Sequence, residues 1–483
     1  MSAGLSSFAA AMGEVPDALL PARSQMGFTL GTHIILVPLG VVFPLMIVIA
    51  NFLGLRRNDR DWLRLAERWS RVAAVTFAVG AVTGTVLSFE MGLLWPGLFD
   101  RFGDVIGVPF ALEGVFFFLE AIFISIYLLG WKRMRPWPHF WTGVPIPIVG
   151  LLGAFTVVAA NSWMNQPGGF TQDAAGKVTD VSVWSVIFNN AVKYEFPHMY
   201  VAALVAAGFL VASPYAVGML RGRRDRYHRL GFLLPFSVAA IAIPIQMVVG
   251  DSTARAVYSD QPLKFAALEL NWTTGPDKPE ILLGHLNPDG TVSGGLKIPG
   301  LASWLSDPST GKETVVTGLS SVSAEDRPSI GAINTIHLAW DLMVGLGTAL
   351  LLLALWYVWV LWRRRDRLAD MRWFLRFAVL APVAAYICIE SGWIITEVGR
   401  QPWIVWQILR TEDAVTHAAG SAVWTSLTVI LILYAALAAG AVLVIRGLTR
   451  RWRSRDLEEA GLPYGPRAPL PGAGEPAEPT RAP

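Results

Sequence analysis

Charge is what this sequence has least of. Only 16% of its 483 residues are Asp, Glu, Lys or Arg, against about 25% in an ordinary soluble domain. A chain so poor in charge cannot face water on every side. Cysteine is nearly absent: Cys388, the single one, lies in an apolar run, so no internal disulfide can staple a loop. Histidine is scarce as well, with seven in the chain. No internal repeat is visible, which weakens a transporter reading built on inverted halves. The first 22 residues lack a basic stretch followed by an apolar core, so no cleavable signal is expected there.

What is abundant is apolar length. Hydrophobic residues make up 53% of the chain, with 20 tryptophans. Nine stretches approach or exceed the roughly 20 apolar residues that a bilayer requires: 28–54, 72–97, 107–130, 143–163, 197–219, 231–250, 331–362, 377–398 and 421–445. Residues 231–250 and 421–445 contain no charge at all. A globular core could bury one such helix but not nine. The expected fold is therefore an all-α integral membrane protein, a bundle of about nine transmembrane helices. Its body is expected over 1–455, with one long polar excursion at 251–330. The tail 456–483, rich in Pro, Gly and Ala, is expected to be disordered.

Sidedness follows from lysine and arginine, which short cytoplasmic loops retain. The connections after spans 1, 3, 5, 7 and 9 hold 25 of the 39 basic residues. The N-terminus and the 251–330 loop are thus expected outside and the C-terminus in the cytoplasm. The net charge of +3 reflects this topology and calls for no nucleic-acid partner.

Ionisable groups inside a bilayer are expensive and mark function by default. They are His33, Glu90, Glu113, Glu120, His198, His337, Asp341, Glu390 and Glu397. His33, His198, Met343 and Glu397 fall in the outer halves of four spans, so four potential metal ligands converge on one leaflet. Haem iron accepts His and Met, and a His/Met pair makes a six-coordinate electron-transfer centre. His198 and Met343 suit such a pair. Iron that binds oxygen keeps one position open, so one protein ligand, His33 or Glu397, suffices. Taken singly, each has a plainer role: a histidine can bond a neighbouring helix, and a methionine usually fills a core. Glu113 and Glu120 are seven residues apart and share a helix face, as do Glu390 and Glu397. Trp393 stands one turn before Glu397, and Arg400 three residues after it.

The segment GWIITEVGRQPW (392–403) resembles the signature of cytochrome bd quinol oxidase subunit I. RSQMGFTLGTHIILVPL (23–39), ALEGVFFFLEA (111–121), NSWMNQP (161–167), QPLKFAALE (261–269) and WDLMVGLG (340–347) match in the same order. The resemblance runs from Arg23 to the ninth helix. It implies the haem-bearing subunit of a respiratory terminal oxidase in a bacterial or archaeal cell membrane. Such an enzyme oxidises quinol at the outer face and reduces oxygen to water with cytoplasmic protons, building a gradient without a pump. By the resemblance, His198 and Met343 ligate low-spin haem b. His33 serves one of two high-spin haems and Glu397 the other, with the pairing open between high-spin haem b and haem d. Glu113 and Glu120 deliver protons or support those haems. Lys264 and Glu269 belong to a quinol-binding loop, Trp393 lies between haems, and Arg400 offsets propionate charge. A haem-free subunit II and single-span accessory peptides are the implied partners.

Two departures bear on the cofactor. The spacing of Glu113 and Glu120 is seven where many relatives have eight. That is similar to the cyanide-insensitive branch, some members of which carry only b-type haem, so a third haem b in place of haem d is the first alternative. Gly153 stands where a proton-path serine is expected, with Thr156 as a substitute hydroxyl. From a different class, a proton-coupled transporter would use the same glutamates without haem. An electron-transfer cytochrome b would need inner-leaflet histidine pairs that are missing.

Overall fold

Long apolar runs between arginine-rich turns become long helices, because a backbone removed from water must bond to itself. The computed structural model describes residues 15–174, 176–455 and 463–464. Among the described residues, nine helices are long and apolar enough to cross a membrane. They are α1 (Leu19–Arg57), α2 (Arg60–Leu94), α3 (Pro96–Gly130), α4 (Pro145–Asn165), α5 (Val192–Leu220), α6 (Arg226–Asp260), α7 (Ile330–Arg364), α8 (Arg372–Val398) and α9 (Gly420–Arg455). Several overrun the apolar stretches that announce them. Helix α6 continues ten residues past Gly250 to Asp260, since hydropathy marks where lipid ends and not where helical bonding stops. Conversely, α2 ends at Leu94, short of residue 97, because Pro96 opens the next helix at its first turn.

Prolines 38, 44, 109, 197, 214, 235, 244 and 382 lie inside these helices. Neighbouring helices can re-satisfy the freed carbonyls there, so the helices continue. Asp59 caps α2 by accepting from Asp61 N–H at 3.0 Å, and Asp225 caps α6 by accepting from His228 N–H at 3.0 Å. Arg226 pairs with Asp59 and with Asp61, binding the α1–α2 turn to the α5–α6 turn. Helices α5 to α8 close over an aromatic core of Phe209, Phe232, Phe236, Tyr357 and Phe374, with Phe236 and Tyr357 ring centres 4.6 Å apart. Helix α9 lies against α1 and α2.

The polar segment between α6 and α7 has its own structure. It comprises a short helix (Pro262–Leu268), an antiparallel hairpin of β1 (Glu280–Leu286) and β2 (Val292–Ile298), and a further turn of helix (Leu301–Ser306). One face of α7 holds β1 by its backbone. Asn334 Oδ1 accepts from Leu286 N–H at 2.7 Å, His337 Nε2 from Gly284 N–H at 3.2 Å, and Asp341 Oδ2 from Leu283 N–H at 2.7 Å. His337 Nδ1 donates to Leu268 O at 2.6 Å. These bonds satisfy strand donors that burial would otherwise leave unpaired. His337 and Asp341, which look functional as intramembrane polar groups, are therefore anchors for this segment. Glu90 is similarly a tie between helices, accepting from Gln25 Nε2 at 2.9 Å and Thr29 Oγ1 at 2.5 Å.

The tail expected to be disordered from 456 falls outside the described residues, except for Pro463 and Tyr464. Tyr464 Oη accepts from Asn51 Nδ2 at 3.0 Å and lies 3.0 Å from His139 Nδ1.

Candidate functional site

The polar candidates on α1, α3, α5 and α8 turn inward for the same reason: facing lipid they would be unpaired. In the bundle interior they surround one cavity of about 1400 Å³, larger than the roughly 300–1,000 Å³ of an ordinary small-molecule pocket. His33, His198, Met343 and Glu397 all line it. So do Glu113, Glu120, Trp393 and Arg400, and, from the short helix after α6 and the residue that ends it, Lys264 and Glu269. Glu90, Glu390, His337 and Asp341 are not part of its lining.

Both histidines meet a polar side chain of the neighbouring helix. Thr83 Oγ1 donates to Gly80 O at 3.1 Å, so at 2.9 Å from His33 Nδ1 it accepts the ring proton. His33 Nε2 is then unprotonated, as a metal ligand must be. Gln246 Nε2 lies 3.2 Å from His198 Nδ1 and 3.4 Å from its Nε2, so α6 supports the ring edge-on. Three of the four candidate ligands also face a glycine. A Cβ on Gly84 would come within 3.0 Å of His33, one on Gly250 within 3.4 Å of His198, and one on Gly392 within 3.6 Å of Met343. The missing side chains let His33, His198 and Met343 pack closely against the neighbouring helices.

The donor set decides what kind of group fits. Among the described residues, no three His, Cys, Asp or Glu side chains cluster as a cage for a bare metal ion. A macrocycle that brings its own equatorial nitrogens needs only axial ligands, which the separated His33, His198, Met343 and Glu397 can be. Arg400 is 3% exposed, and its Nη2 bonds Glu397 Oε2 at 2.6 Å. Its Nε and Nη1 are buried without a partner. Orphaned guanidinium donors on a cavity wall suit an anionic substituent such as a propionate. The residues fit haem.

Lys264 and Glu269 look, from the sequence, like neighbours in a solvated loop. Both are 3% exposed, and they serve different clusters. Lys264 Nζ donates to Asn165 Oδ1 at 3.2 Å, and burial pushes the ammonium down to about 8 against the opposing pull of Glu195. Glu269 is hydrogen-bonded to Glu280 of β1. Burial, reinforced by the neighbouring carboxylates Glu280 and Asp341, drives Glu269 well above the ordinary carboxyl range; burial also raises Glu280. Glu269 Oε2 is buried without a partner.

Several residues of the site are not singled out by the sequence. Asn161 Nδ2 donates to Glu397 Oε1 at 2.6 Å. Glu195 accepts from Ser162 Oγ at 2.8 Å and from Asn165 Nδ2 at 3.1 Å. The signal for the first group was the NSWMNQP segment, whose polar residues recur at helical spacing. Glu195 carried less signal, because the apolar stretch of α5 begins at 197 whereas the helix begins at Val192. Glu280 lies eleven residues past Glu269, and only the hairpin brings it back.

A polytopic bundle enclosing a cavity lined by His33, His198, Met343 and Glu397 suits a membrane-embedded redox protein. The chain belongs to the cytochrome bd terminal oxidase subunit I family, whose model matches residues 21–452. A provisionally named cytochrome bd menaquinol oxidase subunit I of Bacillus subtilis is 32% identical over 408 residues, 83% of this chain and 90% of that protein. The cytochrome bd ubiquinol oxidase subunit 1 of the same organism is 29% identical over 82% of this chain and 86% of its own. The solved bd oxidase of Geobacillus thermodenitrificans superposes with a TM-score of 0.82 at 33% identity, covering 90% of this chain and 99% of that one.

Proposed function

We propose that the chain is the haem-bearing subunit of a quinol:oxygen oxidoreductase, with its N-terminus and the 261–329 segment outside the membrane and its C-terminus in the cytoplasm. The observation that carries this reading is the single cavity shared by the four candidate ligands, the span-3 carboxylates and the Lys264–Glu269 helix. His198 and Met343 would hold low-spin haem b. His33 and Glu397 would each serve one of two further haems, one a high-spin haem b and the other haem d or a third haem b. When bound, these groups supply electron transfer and oxygen reduction.

The side chains supply position and protons. Lys264 and Glu269 bind the quinol headgroup, and the unpartnered Glu269 Oε2 accepts a quinol O–H. Glu113 and Glu120, on one face of α3, carry cytoplasmic protons toward the oxygen site. Trp393 would separate the bound haems, and Arg400, which fixes Glu397, would pair with a propionate. Because protons leave outside and are consumed from inside, charge separation follows from this geometry. Subunit II of the family and single-span accessory peptides would cover lipid-facing helices.

A dithionite-reduced minus air-oxidised visible spectrum of the purified complex tests the reading. A b-type band with a far-red chlorin band is expected for haem d; a b-type band alone assigns the third site to haem b. A folded complex without any haem band would sink the oxidase reading and leave a proton-coupled transporter.

The Glu269–Glu280 pair also predicts a pH dependence. Both groups sit above their unfolded values, so their contribution to stability is present at low pH and is lost as pH rises through the folded value. Thermal stability of the complex is expected to fall as pH rises above the ordinary carboxyl range, and to fall less steeply in Glu280→Gln. Parallel pH curves for the two proteins would show that the pair does not titrate in this window.

A further inference from the structure

Two buried cations, Lys264 and Arg400, stand with two carboxylates, Glu195 and Glu397, where the helix 262–268 meets the cavity. Glu397 is taken by Arg400 at 2.6 Å and Asn161 at 2.6 Å. Glu195 has no such direct cation contact among its hydrogen bonds. Its Oε2 accepts from Ser162 and its Oε1 from Asn165, and the carbonyl end of the same Asn165 receives Lys264 Nζ at 3.2 Å. Asn165 is 1% exposed and Ser162 fully buried, so the carboxylate, the amide and the ammonium form one fixed string. It joins α5, α4 and the helix after α6.

An ammonium stripped of water is stable only near a counter-charge. Of the groups around Lys264, Glu195 and Glu397 favour its charged form and Arg400 opposes it, with Glu195 the larger of the two favourable influences. An exposed carboxylate in the first turn of a helix would merely complement the helix dipole. Glu195 instead faces the cavity and has both oxygens committed to α4.

We propose that Glu195 is the positioning residue for Lys264: acting through Asn165, it holds the ammonium charged and aimed at the quinol headgroup, and so sets quinol affinity. This rests on the assignment of Lys264 to quinol binding. Quinol oxygens would accept the Lys264 N–H, a charge-assisted bond that weakens when the ammonium loses its counter-charge or its orientation.

The test uses the purified complex with Lys264→Ala, Glu195→Gln, Glu195→Asp and the double variant Glu195→Gln/Lys264→Ala. Quinol KM and kcat are measured beside the dithionite-reduced haem spectrum. Glu195→Gln is expected to raise KM at least about tenfold, the size of a charge-assisted hydrogen bond, with kcat and the haem spectrum little changed. Glu195→Asp, which keeps the charge, should fall between wild type and Gln. The double variant should be no worse than Lys264→Ala alone. Additive effects in the double variant would overturn the proposal, as would haem loss in both Glu195 variants, the mark of a purely structural carboxylate. If Lys264→Ala raises KM and Glu195→Gln does not, the positioning role alone falls. If Lys264→Ala leaves KM unchanged, the quinol assignment of Lys264 falls and takes this inference with it.

Discussion

Replacing Met343 with leucine is expected to convert the low-spin haem spectrum of the complex to a high-spin one. It should also lower quinol oxidation on the order of a hundredfold, since even an outer-shell partner of a metal ligand is worth about 10–100-fold. The reasoning is steric as well as electronic. Leucine occupies nearly the same volume as methionine, so packing in the apolar cluster with Ile336, Ala339 and Ile395 should survive. What is lost is the thioether sulfur that faces Gly392 on α8. A spectrum and turnover like wild type would remove Met343 from the ligand set and leave it as packing. Loss of all haem would mean that the residue supports the bundle and not one iron.

Replacing Glu120 with glutamine should lower oxygen consumption by about a hundredfold, within the roughly 10²–10⁴ that positioned proton donors contribute, while leaving the haem spectrum intact. Glu120 lines the cavity, its Oε1 is buried without a partner, and its carboxyl lies against Gly150 of α4. Glutamine fits the same space and cannot carry a proton. Glu113, two turns away on the same helix, should show a similar loss in Glu113→Gln. Full turnover in Glu120→Gln, measured with an oxygen electrode at saturating quinol, would take this residue off the proton route.

The overlap between fold and site explains why some residues could be read in advance and others could not. His33, His198 and Glu397 stand out because a bilayer penalises such side chains, whereas apolar Met343 is marked only by its depth beside them; depth along each helix follows from counting residues at 1.5 Å apiece. His337 and Asp341 carry the same signal, yet they bind the backbone of β1. Depth along a helix does not reveal rotation about its axis relative to neighbours. Glu90 fails for the same reason, since α1 supplies Gln25 and Thr29 to satisfy it.

Lys264 and Glu269 show a different limit. Polarity marks their segment as outside the membrane, and the natural expectation is a solvated loop. The structure instead folds the segment onto α7 and buries both. That burial arises from long-range pairing, between Leu268 and His337 and between Glu269 and Glu280, separated by many residues in the chain.

The sequence by itself determined the solvent, the number of apolar helices and the inventory of expensive polar groups. Each of these is a local property: the length of a run, its charge, its period. Only the tertiary structure decided which of those groups share one cavity, that Glu195 joins them, and that Lys264 and Glu269 belong to separate clusters. The physical reason is that in lipid a helix gains nothing by turning one apolar face rather than another toward its neighbours. Its rotation is set by glycine contacts, hydrogen bonds and buried charges on other helices, and those exist only once the bundle has assembled.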